Sequence, residues 1–350
     1  MPLNVASVKF SQGVGLLTDL LACNPADRVA TMFHGSPGIG KSAMPRQAIA
    51  EYAKSQRLDP SSFFFRVVML SQLDQVDLRG IPVPDLSAGV TRWLTPDFFP
   101  RDKDAKGFLF LDEFNAAPQS VMAPAYQLLL DHQLGDYRVP DGIRIIAAGN
   151  LDSDKAIVSR TSTAARNRLQ HFKIEVDMDE WVAWALTNDI PVEVISFLRY
   201  RTGLLHKFEP EKDLHAYPTP RSWEMAAKFL RRNTNKSMEF GGLAGCVGDG
   251  PATEFVAFLR VARNLPSVEL VIMEPKKTPV PEKADAQYAL AGALAYRATK
   301  DNLAPIVTYL ARMPGEFAAL TMRDALTRDR SLAKTRAFID WSVANKDFLF

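Results

Sequence analysis

The octapeptide Gly35 to Ser42, G-S-P-G-I-G-K-S, constrains this chain more than any other stretch. It fits G-x-x-x-x-G-K-[ST], the phosphate-binding loop pattern, which carries meaning only between a strand and a helix. Both flanks qualify. Val29 to His34 (V-A-T-M-F-H) is a short apolar run of strand type, and the chain from Lys41 onward (K-S-A-M-P-R-Q-A-I-A-E-Y-A) has helical composition. Glycines lack a Cβ, so the main chain can turn its N–H groups inward around phosphate oxygens while the following helix directs the positive end of its dipole at them. On this reading Gly35, Ser36, Pro37, Gly38, Ile39 and Gly40 form the cradle. Lys41 reaches the β and γ phosphates as a point charge, and Ser42 places its hydroxyl on a Mg2+ ion. An ordinary glycine turn before a helix is the bland alternative. Pro45 falls in the first turns of the helix, where a missing N–H is tolerated.

A chain of 350 residues has room for two or three domains and a sizeable core. Its 47% hydrophobic and 23% charged residues are those of an ordinary globular protein. The formal net charge of +2 is too small to make nucleic acid the expected main partner. Only Cys23 and Cys246 occur, so no disulfide scaffold organises the fold and a reducing compartment is expected. No charged start with an apolar stretch opens the chain, and no apolar run could span a bilayer, so the expected location is cytoplasmic.

Further strands follow in order. Phe63 to Leu70 is a nearly continuous apolar run, as in a buried parallel sheet. Arg79 to Pro100 is rich in proline and glycine and reads as a loop or hairpin insertion. Gly107 to Leu111 is the third strand. Pro124 sits inside the helix expected after it and costs about 3 kcal/mol in a helix interior, so the regular helix is expected from Pro124 onward with a looser turn before it. Leu134 to Val139 reads as a small hairpin, Ile143 to Ala148 as the fourth strand and His171 to Val176 as the fifth. Five strands alternating with helices argue for a doubly wound α/β layer with a largely parallel sheet over residues 1–178, its insertion spanning about 79–100. Beyond it the pattern is helical: a domain over 179–266, a proline-rich linker over 267–283, and a C-terminal helical region over 284–350.

Cleaving a γ-phosphate needs positioning, charge neutralisation and an oriented water more than covalent help. Phe108 to Glu113 (F-L-F-L-D-E) is a strand ending in two acids: Asp112 would hold the Mg2+ shell and Glu113 would polarise the attacking water. The alternative is that both merely cap the next helix. Asn150 ends the next strand, on the edge where such sheets bind ligands, and its amide can orient water without adding charge; a plain turn asparagine would look the same. Arg166 and Arg168 precede the fifth strand. Either they are solvated at a helix end, or one reaches a neighbouring subunit's nucleotide as an arginine finger. Arg221, in T-P-R, places a cation in a helix's first turn, against the dipole, so phosphate or a local partner such as Glu224 must compensate.

Together, G-S-P-G-I-G-K-S, F-L-F-L-D-E, A-A-G-N, A-A-R-N-R-L and T-P-R resemble the AAA+ P-loop ATPases, and within them the MoxR-type branch. The similarity covers roughly residues 10–235 and is strongest over Leu111 to Ser120 and Tyr126 to Gly142. The resemblance implies Lys41 and Ser42 as Walker A, Asp112 and Glu113 as Walker B, Asn150 as sensor 1, Arg221 as sensor 2 and Arg168 as the finger, with Arg166 in reserve. It implies ATP and Mg2+, a sheet ordered 5-1-4-3-2, a helical lid, and a homo-oligomeric ring, usually hexameric. Such proteins act as chaperone-like remodellers beside a partner carrying a von Willebrand factor A domain. The resemblance also puts the 79–100 insertion at a channel or partner, with Trp93 and its neighbours expected to contact the client, although packing on its own subunit is the alternative. Pro124, and Leu169 in place of the phenylalanine often found after the finger, depart from the pattern. A nucleic-acid motor and an ATP-gated, non-catalytic scaffold are the competing readings; a P-loop kinase lacks a recognisable phosphoacceptor site.

Overall fold

The computed structural model describes residues 5–151, 166–209, 214–232 and 235–346. The chain divides into two compact units, Met1–Asp177 with Glu209–Asp213, and Met178–Phe208 with Leu214–Phe350. The first is an α/β layer. Its main sheet contains β1 (Ala6–Lys9), β2 (Thr31–His34), β3 (Phe64–Met69), β6 (Gly107–Asp112), β9 (Ile143–Gly149) and β10 (Gln170–Glu175). All neighbours run parallel, in the order β1-β10-β2-β9-β6-β3. The sheet therefore has six strands where the sequence pattern led us to expect five. The additional one, β1, is a four-residue edge strand with little burial, and only its main-chain pairing with β10 makes it a strand.

Both faces of the sheet are covered, which is why its central strands are apolar throughout rather than alternating. Along β6 the period of two sends Phe108 and Phe110 to one side and Leu109 and Leu111 to the other. The phenylalanines pack with Val14, Leu17 and Leu21 of α1 (Phe10–Ala22) and with Met44, Ala48 and Ile49 of α2 (Met44–Gln56). The leucines meet Val121, Ala125, Leu128 and Leu129 of α4 (Gln119–Asp131). Helix α4 runs unbroken through Pro124, correcting the expectation of a looser turn before that residue. Pro124 is itself buried beside Val121 and Ala125, so packing of this face offsets the lost main-chain hydrogen bond.

A short helix α3 (Gln75–Arg79) leads into the insertion, an antiparallel hairpin of β4 (Ile81–Asp85) and β5 (Val90–Leu94). Asp85 closes its turn, accepting from Ser87 Oγ at 2.6 Å, Ala88 N at 3.1 Å and Arg92 Nε at 2.7 Å. The hairpin exposes Ile81, Leu86, Val90 and Leu94, with Leu86 at 90% of its full exposure. Trp93 is 40% exposed and lies beside the Arg79 guanidinium, 5.9 Å from its ring centre. Phe99, by contrast, is buried in the α/β core next to Tyr137. The insertion thus divides into an exposed hairpin and an anchored exit. A second hairpin joins β7 (Gln133–Leu134) to β8 (Tyr137–Arg138).

Two buried histidines make this unit sensitive to acid. Burial holds the pKa of His34 down at about 4, reinforced by His171 and Lys41. Burial likewise holds His132 at about 4, with Arg28 and Arg144 adding to the effect and Asp141 opposing it. An unfolded chain takes up a proton at each near 6.5, whereas the folded one does so only near 4. The stability they contribute is complete above pH 6.5 and is lost as pH falls through that interval. We expect a loss on the order of 3 kcal/mol per histidine between neutral pH and about pH 4, and a shallower slope for His132→Phe. Urea midpoints measured across that range check it; a flat profile would contradict it.

The second unit is helical: α5 (Met178–Thr187), α6 (Val192–Tyr200), α7 (Pro220–Arg232), α8 (Glu239–Val247), α9 (Asp249–Arg263), α10 (Val268–Met273), α11 (Ala284–Arg297), α12 (Leu303–Leu310), α13 (Gly315–Arg328) and α14 (Arg336–Ala344). Phe197, Trp223, Phe255 and Phe258 form one aromatic cluster, and Trp223 Nε1 donates to Leu204 O at 2.6 Å. The stretch read as a linker contains α10, whose Val271 is fully buried among residues of α11, α12 and α13. Prolines marked its ends, but its apolar V-E-L-V-I-M segment needed a place in the core. The final helix starts at Arg336, after a 3-10 turn at Arg330–Lys334. Thr335 ends the turn and caps α14, its Oγ1 accepting from Phe338 N at 3.3 Å.

Candidate active site

In a parallel sheet every strand delivers its C-terminal end to the same edge. Register places His34 of β2 opposite Gly149 of β9, and Met69 of β3 opposite Asp112 of β6. The residues just beyond these ends are the glycine loop, Asn150, Glu113 and the Leu70–Gln72 turn. Gly35 N donates to Gly149 O at 3.1 Å, extending the β2 to β9 pairing into the loop.

The loop itself turns on Gly38 and Gly40, whose φ values of 79° and 99° are costly for any residue with a Cβ. At Gly40 a Cβ would also lie 3.0 Å from the Phe10 ring. Lys41 is buried, and its ammonium folds back onto the loop, donating to Gly35 O and, at 3.1 Å, to Ser36 O. It also donates to Asn150 Oδ1 at 3.1 Å. A lysine and an asparagine 109 positions apart in the chain therefore share one hydrogen bond. Helix α2 begins at Met44 with Pro45 in its first turn, where the ring is accommodated.

At the end of β6, Asp112 Oδ1 accepts from Glu113 N at 2.9 Å. Glu113 adopts left-handed backbone geometry (φ 54°, ψ 34°), a cost on the order of 1 kcal/mol for a non-glycine residue. That conformation ends the strand abruptly, and Glu113 Oε2 accepts a hydrogen bond from Ser71 Oγ. Ser71 belongs to the turn after β3, the strand beside β6. The hard oxygens of Ser42 and Asp112 suit Mg2+, and the glycine turn with its lysine suits phosphate.

Two contributors escaped sequence reasoning. Ser71 is one. The other is Asn115, buried at 4% exposure, whose Nδ2 donates to Asn150 O at 2.8 Å and whose Oδ1 accepts from Asn150 N at 3.1 Å. This double bond pair fixes the main chain of Asn150. It also explains Gly149, where a Cβ would sit 2.5 Å from Asn115 Oδ1. A lone polar residue in the apolar run F-N-A-A-P was the available signal for Asn115.

Arg166 and Arg168 are exposed just ahead of β10, and Arg166 O accepts from Leu169 N at 3.2 Å. The preceding Ala164 and Ala165 of the A-A-R-N-R-L motif lie outside the described residues. Arg221 belongs to the helical unit, exposed in the first turn of α7. Thr219 caps that helix: Thr219 Oγ1 accepts from Ser222 N at 3.0 Å, and Thr219 N donates to Ser222 Oγ at 2.7 Å. Glu224, the local partner considered for Arg221, instead pairs with Lys228 at 2.5 Å.

No protein-family model matches the chain, and no curated protein matches it. Among solved structures it is similar to a candidate ATPase from Cytophaga hutchinsonii, at 13% identity over 92% of this chain and 81% of that one, with a TM-score of 0.34. It is similar to a mutant of RuvB from Thermotoga maritima, at 13% identity over 91% and 83% of the two chains, with a TM-score of 0.30. It is also similar to the replication initiator DnaA bound to AMPPCP and single-stranded DNA, at 12% identity over 91% and 92%, with a TM-score of 0.34.

Proposed function

We propose that this chain is an ATP-hydrolysing AAA+ protein of the MoxR type that works as a homo-oligomeric ring, hexameric by resemblance, and remodels a protein partner. The observation that supports it best is the meeting of Lys41 with the Gly35 and Ser36 carbonyls and with the Asn150 side chain. A lysine ammonium gathered with the loop carbonyls and the Asn150 amide stands where a phosphate oxygen could accept a charge-assisted hydrogen bond. ATP supplies the scissile phosphoanhydride, and its Mg2+ would be held by Ser42 and Asp112. Lys41 exchanges its loop acceptors for phosphate oxygens. That exchange frees Asn150 Oδ1 to orient water, while Asn115 keeps the Asn150 main chain in place. Glu113 takes the water's proton once its carboxylate is released by Ser71. Arg168, or Arg166 in reserve, stabilises charge in a neighbouring protomer's site, and Arg221 serves as the sensor in the helical lid.

The exposed β4–β5 hairpin is the surface we assign to the partner, in the family's manner a protein with a von Willebrand factor A domain. Its apolar side chains cover no core, and a free apolar strand edge is a template for another chain. The expected working location is cytoplasmic; among the described residues no helix is long and apolar enough to cross a membrane.

Calorimetric titration with Mg2+-ATP tests the binding step. Lys41→Ala removes a charge-assisted hydrogen bond of about 1.5–3 kcal/mol. It is expected to weaken ATP binding on the order of ten- to a hundredfold. Wild-type protein that binds no better than this variant would end the reading.

A further inference from the structure

We infer that His34 and His171 form a hydrogen-bonded relay tying the last residue of the strand that feeds the glycine loop to the main chain of the arginine segment. His34 Nε2 and His171 Nδ1 are 2.9 Å apart, with the rings stacked at a centroid distance of 5.1 Å. The far nitrogen of His171, Nε2, is 3.0 Å from Arg166 O. His34 is 6% exposed, and its Nδ1 is buried with no hydrogen-bond partner. The three residues come from β2, β10 and the turn before β10, so the relay crosses from one strand to its neighbour and then to the arginines.

The protons in this relay can be assigned from one fact: a carbonyl oxygen only accepts. His171 must therefore carry its proton on Nε2 and donate to Arg166 O. In neutral His171 this leaves Nδ1 as an acceptor, so His34 must donate from Nε2 and its own Nδ1 is bare. Adding one proton to the pair reverses the order inside it. His171 then holds protons on both nitrogens, donates from Nδ1 to His34 Nε2, and obliges His34 to carry its proton on Nδ1. The net change is one proton gained, with the positive charge on His171 and one hydrogen bond reversed in direction.

Charge placement favours that assignment. Burial, His171 and Lys41 all act against a charged His34. Lys173 is the ladder partner of His34, which places a further cation beside that ring's strand position. The flanking strands bring only Ala6 and Ser7 of β1 and Ala148 and Gly149 of β9 to this level. With both rings neutral, the relay points from His34 toward Arg166. Resting on the ATPase reading above, His34 and His171 are positioning residues: they hold the arginine segment in register with the loop that receives phosphate.

Two measurements on the full chain test this. In 15N imidazole spectra at about pH 8, His34 and His171 are both expected to carry the proton on Nε2, with His34 Nδ1 bare. A His34 proton on Nδ1 at that pH would overturn the relay. His171→Phe keeps the stacked ring and removes both hydrogen bonds. It is expected to bind a fluorescent ATP analogue within about threefold of wild type while turnover falls about ten- to a hundredfold. His171→Gln should recover part of the rate, because its amide can donate to Arg166 O as the imidazole does. Unchanged turnover in His171→Phe would refute the positioning role. The spectra need no nucleotide, so a chain that bound no ATP would remove the ATPase reading while the tautomers still decided the relay.

Discussion

Arg168→Ala is expected to lower ATP turnover by about 10^3 to 10^5 while leaving ATP binding close to wild type. A guanidinium that meets charge developing in a neighbouring site lowers the barrier by roughly 4 to 7 kcal/mol. An exposed arginine solvated at a chain turn contributes at most about 1 kcal/mol, or about fivefold. Arg168 is exposed in its own protomer, so an effect of that size would point to contact with another copy. Mixing Arg168→Ala with Lys41→Ala subunits checks this directly. On the proposed ring reading each variant lacks a different half of a shared site, so mixed assemblies should recover turnover that neither variant has alone. A fivefold loss, or no recovery on mixing, would place Arg168 with ordinary surface residues. The same pair of measurements on Arg166→Ala decides which arginine acts.

Glu113→Gln should retain ATP binding and lose turnover by about 10^2 to 10^4, the usual contribution of a positioned general base. The substitution is well matched to the local structure. Ser71 Oγ donates to Glu113 Oε2, and a glutamine oxygen can accept the same bond. The left-handed backbone at this position is a main-chain feature that glutamine adopts at much the same cost as glutamate. What is lost is the capacity to take a proton. Tight retention of ATP by the variant, with single-turnover cleavage slowed by the same factor as steady-state turnover, is the expected pattern. Undiminished turnover would remove Glu113 from this role.

Much of the candidate site could be read locally. The glycine loop is eight consecutive residues, and its strand and helix context lies within one βα unit. Asp112, Glu113 and Asn150 stand directly after apolar runs too short and too continuous to be amphipathic helices. The elements that were missed or misjudged had weak local signals. The strand β1 is four residues with little burial, Pro124 argued against a helix that packing nonetheless completes, and α10 lay hidden between prolines.

The sequence by itself determined which residues stand at the C-terminal edge of an α/β sheet: a glycine loop with its lysine, two acids and an asparagine, each marked by its neighbours in the chain. Only the tertiary structure decided how those groups are held. Asn115 meets Asn150 across 35 positions, Ser71 meets Glu113 across 42, and His34 meets His171 across 137. Each of these bonds joins the ends of different strands, and strand order is set by burial of both faces of the sheet. Spacing along the chain carries no trace of such partners, because a hydrogen bond depends on distance in space and becomes specific only once packing has put the two groups within reach.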